Sequence, residues 1–187
     1  ILPILARRMI AQADELVSFQ LYGPMQATLQ IQGQPVSIKQ DTAYPFEERI
    51  TALIGAPGLR FTAEFRIPAW CRQAEIKVIG AKDIEQVRLS DRFQITATWG
   101  PDSKVELDLP QELTHRLIPD GRYVFDVGPL VFSVPIAHVA IDYREYKLEG
   151  YADQDIVPAN AKWTYPPTFR EPDLATAKVV RSSLPKG

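Results

Sequence analysis

The stretch LRFTAEFRI, residues 59–67, alternates without a break. Leu59, Phe61, Ala63, Phe65 and Ile67 fall on one parity; Arg60, Thr62, Glu64 and Arg66 fall on the other. Successive side chains of a β-strand point to opposite faces, so this stretch presents one apolar face and one polar face. That is the pattern of a strand buried on one side only.

The same period recurs on both sides of it. Val17, Phe19 and Leu21 alternate with Ser18 and Gln20, and Ala27, Leu29 and Ile31 repeat the pattern. Val36 and Ile38 do so briefly; Phe93, Ile95, Ala97 and Trp99 share a parity opposite Gln94, Thr96 and Thr98. Val105, Leu107 and Leu109 close the series. Turn signals separate the runs: Gly23-Pro24, Gly33-Gln34-Pro35, Gly55-Ala56-Pro57-Gly58, Gly80, Gly100-Pro101-Asp102, Pro119-Asp120-Gly121 and Gly128-Pro129. Many short alternating strands with regular punctuation predict an all-β fold, an antiparallel β-sandwich of jelly-roll type. The expected organisation is an N-terminal segment over 1–15 with room for a short helix, Pro3 sitting in its first turn. A sandwich follows over 16–121. Residues 122–187 either complete it or start a second small β region, and end in an irregular proline-rich tail. The nearly continuous apolar run from Val127 to Val134 reads as a doubly buried strand or as a strand pair around Gly128-Pro129.

Bulk properties exclude several classes. The chain has 187 residues, 45% hydrophobic and 24% charged, as in ordinary globular proteins. With 21 basic and 23 acidic residues the net charge is −2, so no basic surplus points to nucleic acid. No apolar run approaches the ~20 residues that span a bilayer. The opening ILPILARRMIAQADE puts its apolar residues before its arginines, the reverse of a secretory signal. Ile rather than Met at position 1 fits a processed chain or a piece of a longer one. The compartment stays open between a bacterial cytoplasm and export on a signal carried by a parent protein.

Candidate chemistry is sparse. Cys71 is the single cysteine, which excludes an internal disulfide. A catalytic thiol needs a base, and neither His115 nor His138 lies in a catalytic motif. A sulfur at a strand end is the favoured reading. One Cys and two His do not make a zinc set. Asp41, Glu47, Glu48, Asp83 and Glu85 are the carboxylates that a glycosidase pair would draw on, but nothing places two across a cleft, and solvated faces are expected. Among the aromatics, Trp99 continues a core parity. Trp70 sits off the Phe65/Ile67 register after a proline, where a ring could cover the sandwich edge. Trp70, Trp163 and Tyr165 are the candidate carbohydrate-stacking rings, although a ring buried to anchor the tail is the commoner role for the last two.

The motifs also occur in a recognisable order. FRIPAWC (65–71), IKVIG (76–80), FQITATWGPDSKVELDLP (93–110) and VGPLVFSVPI (127–136) resemble the strands that follow the catalytic barrel in glycoside hydrolase family 127, the β-L-arabinofuranosidase-like proteins. Upstream, QLYGPMQATLQIQGQPVSIKQDTAYPFEERITALI (20–54) is similar to the same region, and KWTY (162–165) echoes a late family motif. Ile79 stands where the family has Asn, and Val127 where it has Arg. The resemblance implies chemistry in an (α/α)6 barrel, with a cysteine nucleophile beside a zinc held by cysteines and a glutamate. Cys71 does not match that nucleophile, so no catalytic residue, metal ligand or cofactor is expected in this chain. The expected role is structural, packing on the helical barrel of a parent glycosidase. The alternative is a stand-alone carbohydrate-binding module. A homodimer surface and a carbohydrate ligand are the other partners expected, with no nucleic acid and no membrane.

Overall fold

In a computed structural model, residues 2–119, 121, 123–132, 137–147, 152–159 and 177–180 are described. The alternating runs become strands. A short helix, α1 (Leu2–Arg8), precedes β1 (Ile10–Ala13), β2 (Leu16–Phe19), β3 (Met25–Ile31), β4 (Gln34–Asp41), β5 (Arg49–Gly55) and β6 (Arg60–Arg66). Then come β7 (Glu75–Ile79), β8 (Lys82–Arg88), β9 (Arg92–Thr98) and β10 (Ser103–Asp108). The remaining strands are β11 (Leu113–Leu117), β12 (Tyr123–Val127), β13 (Leu130–Phe132), β14 (His138–Glu145) and β15 (Ala152–Pro158). None of the described helices is long and apolar enough to cross a membrane.

The chain divides into two units, one of residues 1–112 and 128–130, the other of 113–127 and 131–187. The first is the sandwich. One five-stranded sheet runs β1-β2-β6-β9-β8 and the other β3-β4-β5-β10-β7. We call these the first and second sheets. The chain leaves the first sheet after β2, builds three strands of the second, and returns as β6 beside β2. That return makes β2 and β6 parallel, with Val17 opposite Ala63 and Phe19 opposite Phe65, while the other resolved pairings are antiparallel. The β3–β4 hairpin turns on Gln32 and Gly33, both at positive φ (52° and 74°), the left-handed pair that matches strand twist.

The two inner faces supply the core. Phe61, Ala63 and Phe65 from β6 are buried with Phe93, Ile95 and Ala97 from β9 against Ile38, Ile50, Ile54, Val105 and Leu107. Phe19 and Phe65 stack with ring centroids 4.3 Å apart and planes within 9°. Trp99 is buried too, and its indole N–H donates to Phe61 O at 3.0 Å, so its one polar atom is satisfied. Burying each such side chain contributes about 1.5–3 kcal/mol.

In the second unit, β11, β12 and β13 form a three-stranded sheet, and β14 with β15 a two-stranded one that bulges between Asp142 and Arg144. The Val127–Val134 run resolves, within its described residues, as a strand pair: β12 ends at Val127, Gly128 turns at φ 54°, and β13 begins at Leu130.

Candidate functional site

The end of β6 holds the sulfur and the aromatic rings. Cys71 lies in the turn after the strand, its N–H donating to Pro68 O at 2.9 Å, and it is buried in the core. Burial pushes the thiol's pKa up, against smaller opposing effects from a Gln73 backbone hydrogen bond and the Arg88 guanidinium. The proton therefore stays on sulfur, the opposite of what a nucleophile needs. Arg88 fixes this turn from β8: Nη1 donates to Ala74 O (3.1 Å), Nη2 to Arg72 O (2.9 Å), and the guanidinium lies 5.4 Å from the Phe93 ring centroid. His115 lies on β11 and His138 begins β14.

Trp70 is half-buried and packs against the core. Tyr44 packs against the core as well, and its ring meets Tyr22 edge-on at 5.8 Å. The Tyr22 hydroxyl donates to Arg66 O at 2.5 Å, and burial raises both tyrosine pKa values. Trp163 and Tyr165 lie outside the described residues.

The carboxylates singled out in the sequence do not gather. Glu85 pairs with Arg60 at 2.6 Å, Glu48 accepts the Gln111 N–H at 2.9 Å, and Asp83 accepts the Thr98 hydroxyl at 3.2 Å. Asp41 and Glu47 are exposed. Among the described residues, no three metal-ligating side chains stand together.

Two concavities open on the outer faces of the sandwich, and sequence reasoning found neither. The smaller, about 140 Å³, lies on the first sheet and is lined by Ser18, Gln20, Glu64, Arg66, Asp91 and Arg92. Glu64 occupies the outward parity of β6 yet is only 3% exposed. Arg92 reaches it from β9 through Nη1 at 2.8 Å and holds Asp91 with Nε and Nη2 at 3.0 and 2.7 Å. That hydrogen bonding keeps the Asp91 carboxyl below its ordinary pKa. Gln20 donates to the Ser18 hydroxyl beside the pair. All three Arg92 nitrogens are thus committed within the protein.

The larger concavity, about 580 Å³, crosses the second sheet. Register explains it. Thr28 faces Ser37 and Ser37 faces Gly55, so one outward row across β3, β4 and β5 consists of small side chains. Two residues along each strand, Gln26 faces Lys39 and Lys39 faces Leu53, a row of long ones. Between them Ala27, Ile38 and Ile54 turn their side chains inward, so only backbone forms that part of the floor. A groove results: small residues along it, long residues as one wall, and Pro101-Asp102 as the other. Ser103 pins the second wall. Its buried hydroxyl donates to Gly80 O at 2.9 Å and accepts the Gly100 N–H at 2.8 Å, joining the two turns. Gly100 must lack a Cβ there, since one would stand 2.8 Å from Gly80 O.

The described residues thus form a β-sandwich with its cysteine in the core and two polar grooves on its outer faces, a fold that does not by itself define a function. The sequence then fixes the family: residues 16–111 match the middle domain of the GH127 β-L-arabinofuranosidases, and the chain belongs to that family. Solved structures agree. A GH127 β-L-arabinofuranosidase from Geobacillus stearothermophilus T6 is 25% identical, with a TM-score of 0.58 over 67% of this chain and 21% of its own. A second GH127 β-arabinofuranosidase (22% identity, TM-score 0.57) is matched over 66% of this chain and 23% of its own. A glycoside hydrolase at 19% identity and TM-score 0.55, matched over 84% of this chain and 31% of its own, shares the fold. The chain thus spans about a fifth of the first two relatives' length. No curated protein sequence matches it.

Proposed function

We propose that this chain is the non-catalytic β-sandwich portion of a larger GH127 glycoside hydrolase, and that it packs against the helical catalytic barrel and shapes the entrance to its cleft. The match of residues 16–111 to the family's middle domain carries the reading. On this view the parent hydrolyses β-L-arabinofuranosides or a related glycoside, and any zinc sits in the barrel. The described residues do not fit that metal: no three metal-ligating side chains stand together among them, and the one cysteine is buried in the apolar core. The test is to produce the parent's barrel with and without this chain. The reading expects the barrel alone to be less stable and less active, with both properties regained when the chain is restored. A barrel that is equally stable and active without it contradicts the structural role.

A second reading, a carbohydrate-binding module acting through Trp70, draws support from that ring's half-exposed position at the end of the sandwich. Loss of sugar affinity in Trp70→Ala, with thermal stability retained, is its signature.

A further inference from the structure

The groove across the second sheet has no assigned role, and its lining has a definite chemistry. Gln26, Thr28 and Ser37 offer amide and hydroxyl groups that both donate and accept. Lys39 and Asp102 contribute one charge of each sign, so the lining is neutral overall. Leu53, at 38% exposure, is its one large exposed apolar side chain. The volume, about 580 Å³, falls within the range of ligand clefts of ~300–1,000 Å³.

These features select among ligands. A phosphate or polyanion would meet Asp102 with a single lysine to offset it. A purely apolar ligand would bury the amide and hydroxyls without partners, which costs free energy. A protein hot spot draws on Trp, Tyr or Arg anchors, none of which lines the groove. A neutral polyhydroxylated chain fits: its hydroxyls exchange hydrogen bonds with Gln26, Thr28 and Ser37, and its C–H face can lie on Leu53. From β3 to β5 the groove crosses two strand spacings, about 9.5 Å, which is space for a short oligosaccharide rather than one ring.

We propose that the Thr28–Ser37–Gly55 groove binds a neutral oligosaccharide and is a glycan site separate from Trp70. The proposal stands on the lining itself and not on the role assigned to the whole chain. The test follows amide shifts in the 187-residue chain on titration with arabino-oligosaccharides, xylo-oligosaccharides and inorganic phosphate. Shifts should centre on Thr28, Ser37 and Gly55 with an oligosaccharide and not with phosphate. Ser37→Tyr, which fills the floor from an exposed strand position, should weaken affinity about tenfold or more, equivalent to ~1.4 kcal/mol. Gln26→Ala on the edge strand should weaken it less, and Lys77→Ala, on β7 outside the groove, should leave it unchanged. Thermal melts confirm that each variant is folded. Absence of shifts with every oligosaccharide overturns the proposal, as do shifts that gather at Trp70 and survive Ser37→Tyr. Protection of the groove by the parent's barrel, with no response to sugar, also overturns it and marks the face as a domain contact.

Discussion

Ser37 and Gly55 face each other across β4 and β5, and the Cβ that Gly55 lacks would fall inside contact distance of the Ser37 hydroxyl and 3.0 Å from Pro101 O. The missing side chain is therefore a steric requirement of the groove floor. Gly55→Ala should destabilise the sandwich by about 1–3 kcal/mol, the usual cost of overpacking. Adding Ser37→Ala should recover part of that, because the hydroxyl is one of the two obstacles. Urea midpoints of the two variants check it; an unchanged midpoint for Gly55→Ala means the floor has more room than the geometry allows.

Ser103 joins two turns with one buried hydroxyl. Ser103→Ala leaves the Gly80 carbonyl and the Gly100 N–H without that partner, at a cost of about 1–3 kcal/mol. The Pro101-Asp102 wall should loosen as well, so amide exchange at residues 100–103 should speed up more than exchange in β6. Uniform acceleration across both regions would show that Ser103 acts only on global stability.

Glu64 is a nearly buried carboxylate paired with Arg92, whose side chain is 38% exposed. Removing one member of a buried pair is costly, but solvent reaches this one, so Arg92→Ala should lower the urea midpoint only modestly. Glu64→Gln in the same background should restore much of the loss by removing the stranded charge. A double-mutant cycle measures this; a coupling energy near zero would mean that the pair acts as a surface ion pair.

Alkaline pH should weaken the fold. Burial raises the pKa of Cys71, and also of Tyr44 and Tyr22. The unfolded chain then releases protons at about pH 8.5 for the thiol and about 10 for the phenols, while the folded chain still holds them. Stability from these groups is complete below those values and is lost as pH rises through them toward the folded pKa values. Melting temperatures measured from neutral to alkaline pH should fall, and Cys71→Ala should flatten the first part of the decline. An identical slope in the variant would show that the thiol does not contribute.

The inner faces of the sandwich were legible because period-two alternation is a local property: Phe61, Phe65, Ile95 and Trp99 all take the core positions that their parity predicts. The position of β2 beside β6 was not, because a parallel pairing depends on where the chain returns after three intervening strands. β1 was missed for a different reason, as Ile10–Ala13 carries no alternation and is held by pairing with β2. Glu64 falls on the polar parity of its strand. The outward direction holds, but Ser18, Gln20 and Arg92 converge on it from neighbouring strands. The groove needs still more: Thr28, Ser37 and Gly55 are unremarkable singly and become a floor only once two registers align them. Trp70 shows the same limit, since the core it packs against is assembled from strands that are distant in sequence.

The most direct test of the central claim is hydrolysis of a β-L-arabinofuranoside by this chain alone, with zinc supplied, beside the same assay with the parent's barrel present. The account predicts no turnover from the chain by itself and turnover once the barrel is added. Turnover by the isolated chain, abolished by Cys71→Ala, would contradict it and make the buried sulfur a nucleophile after all.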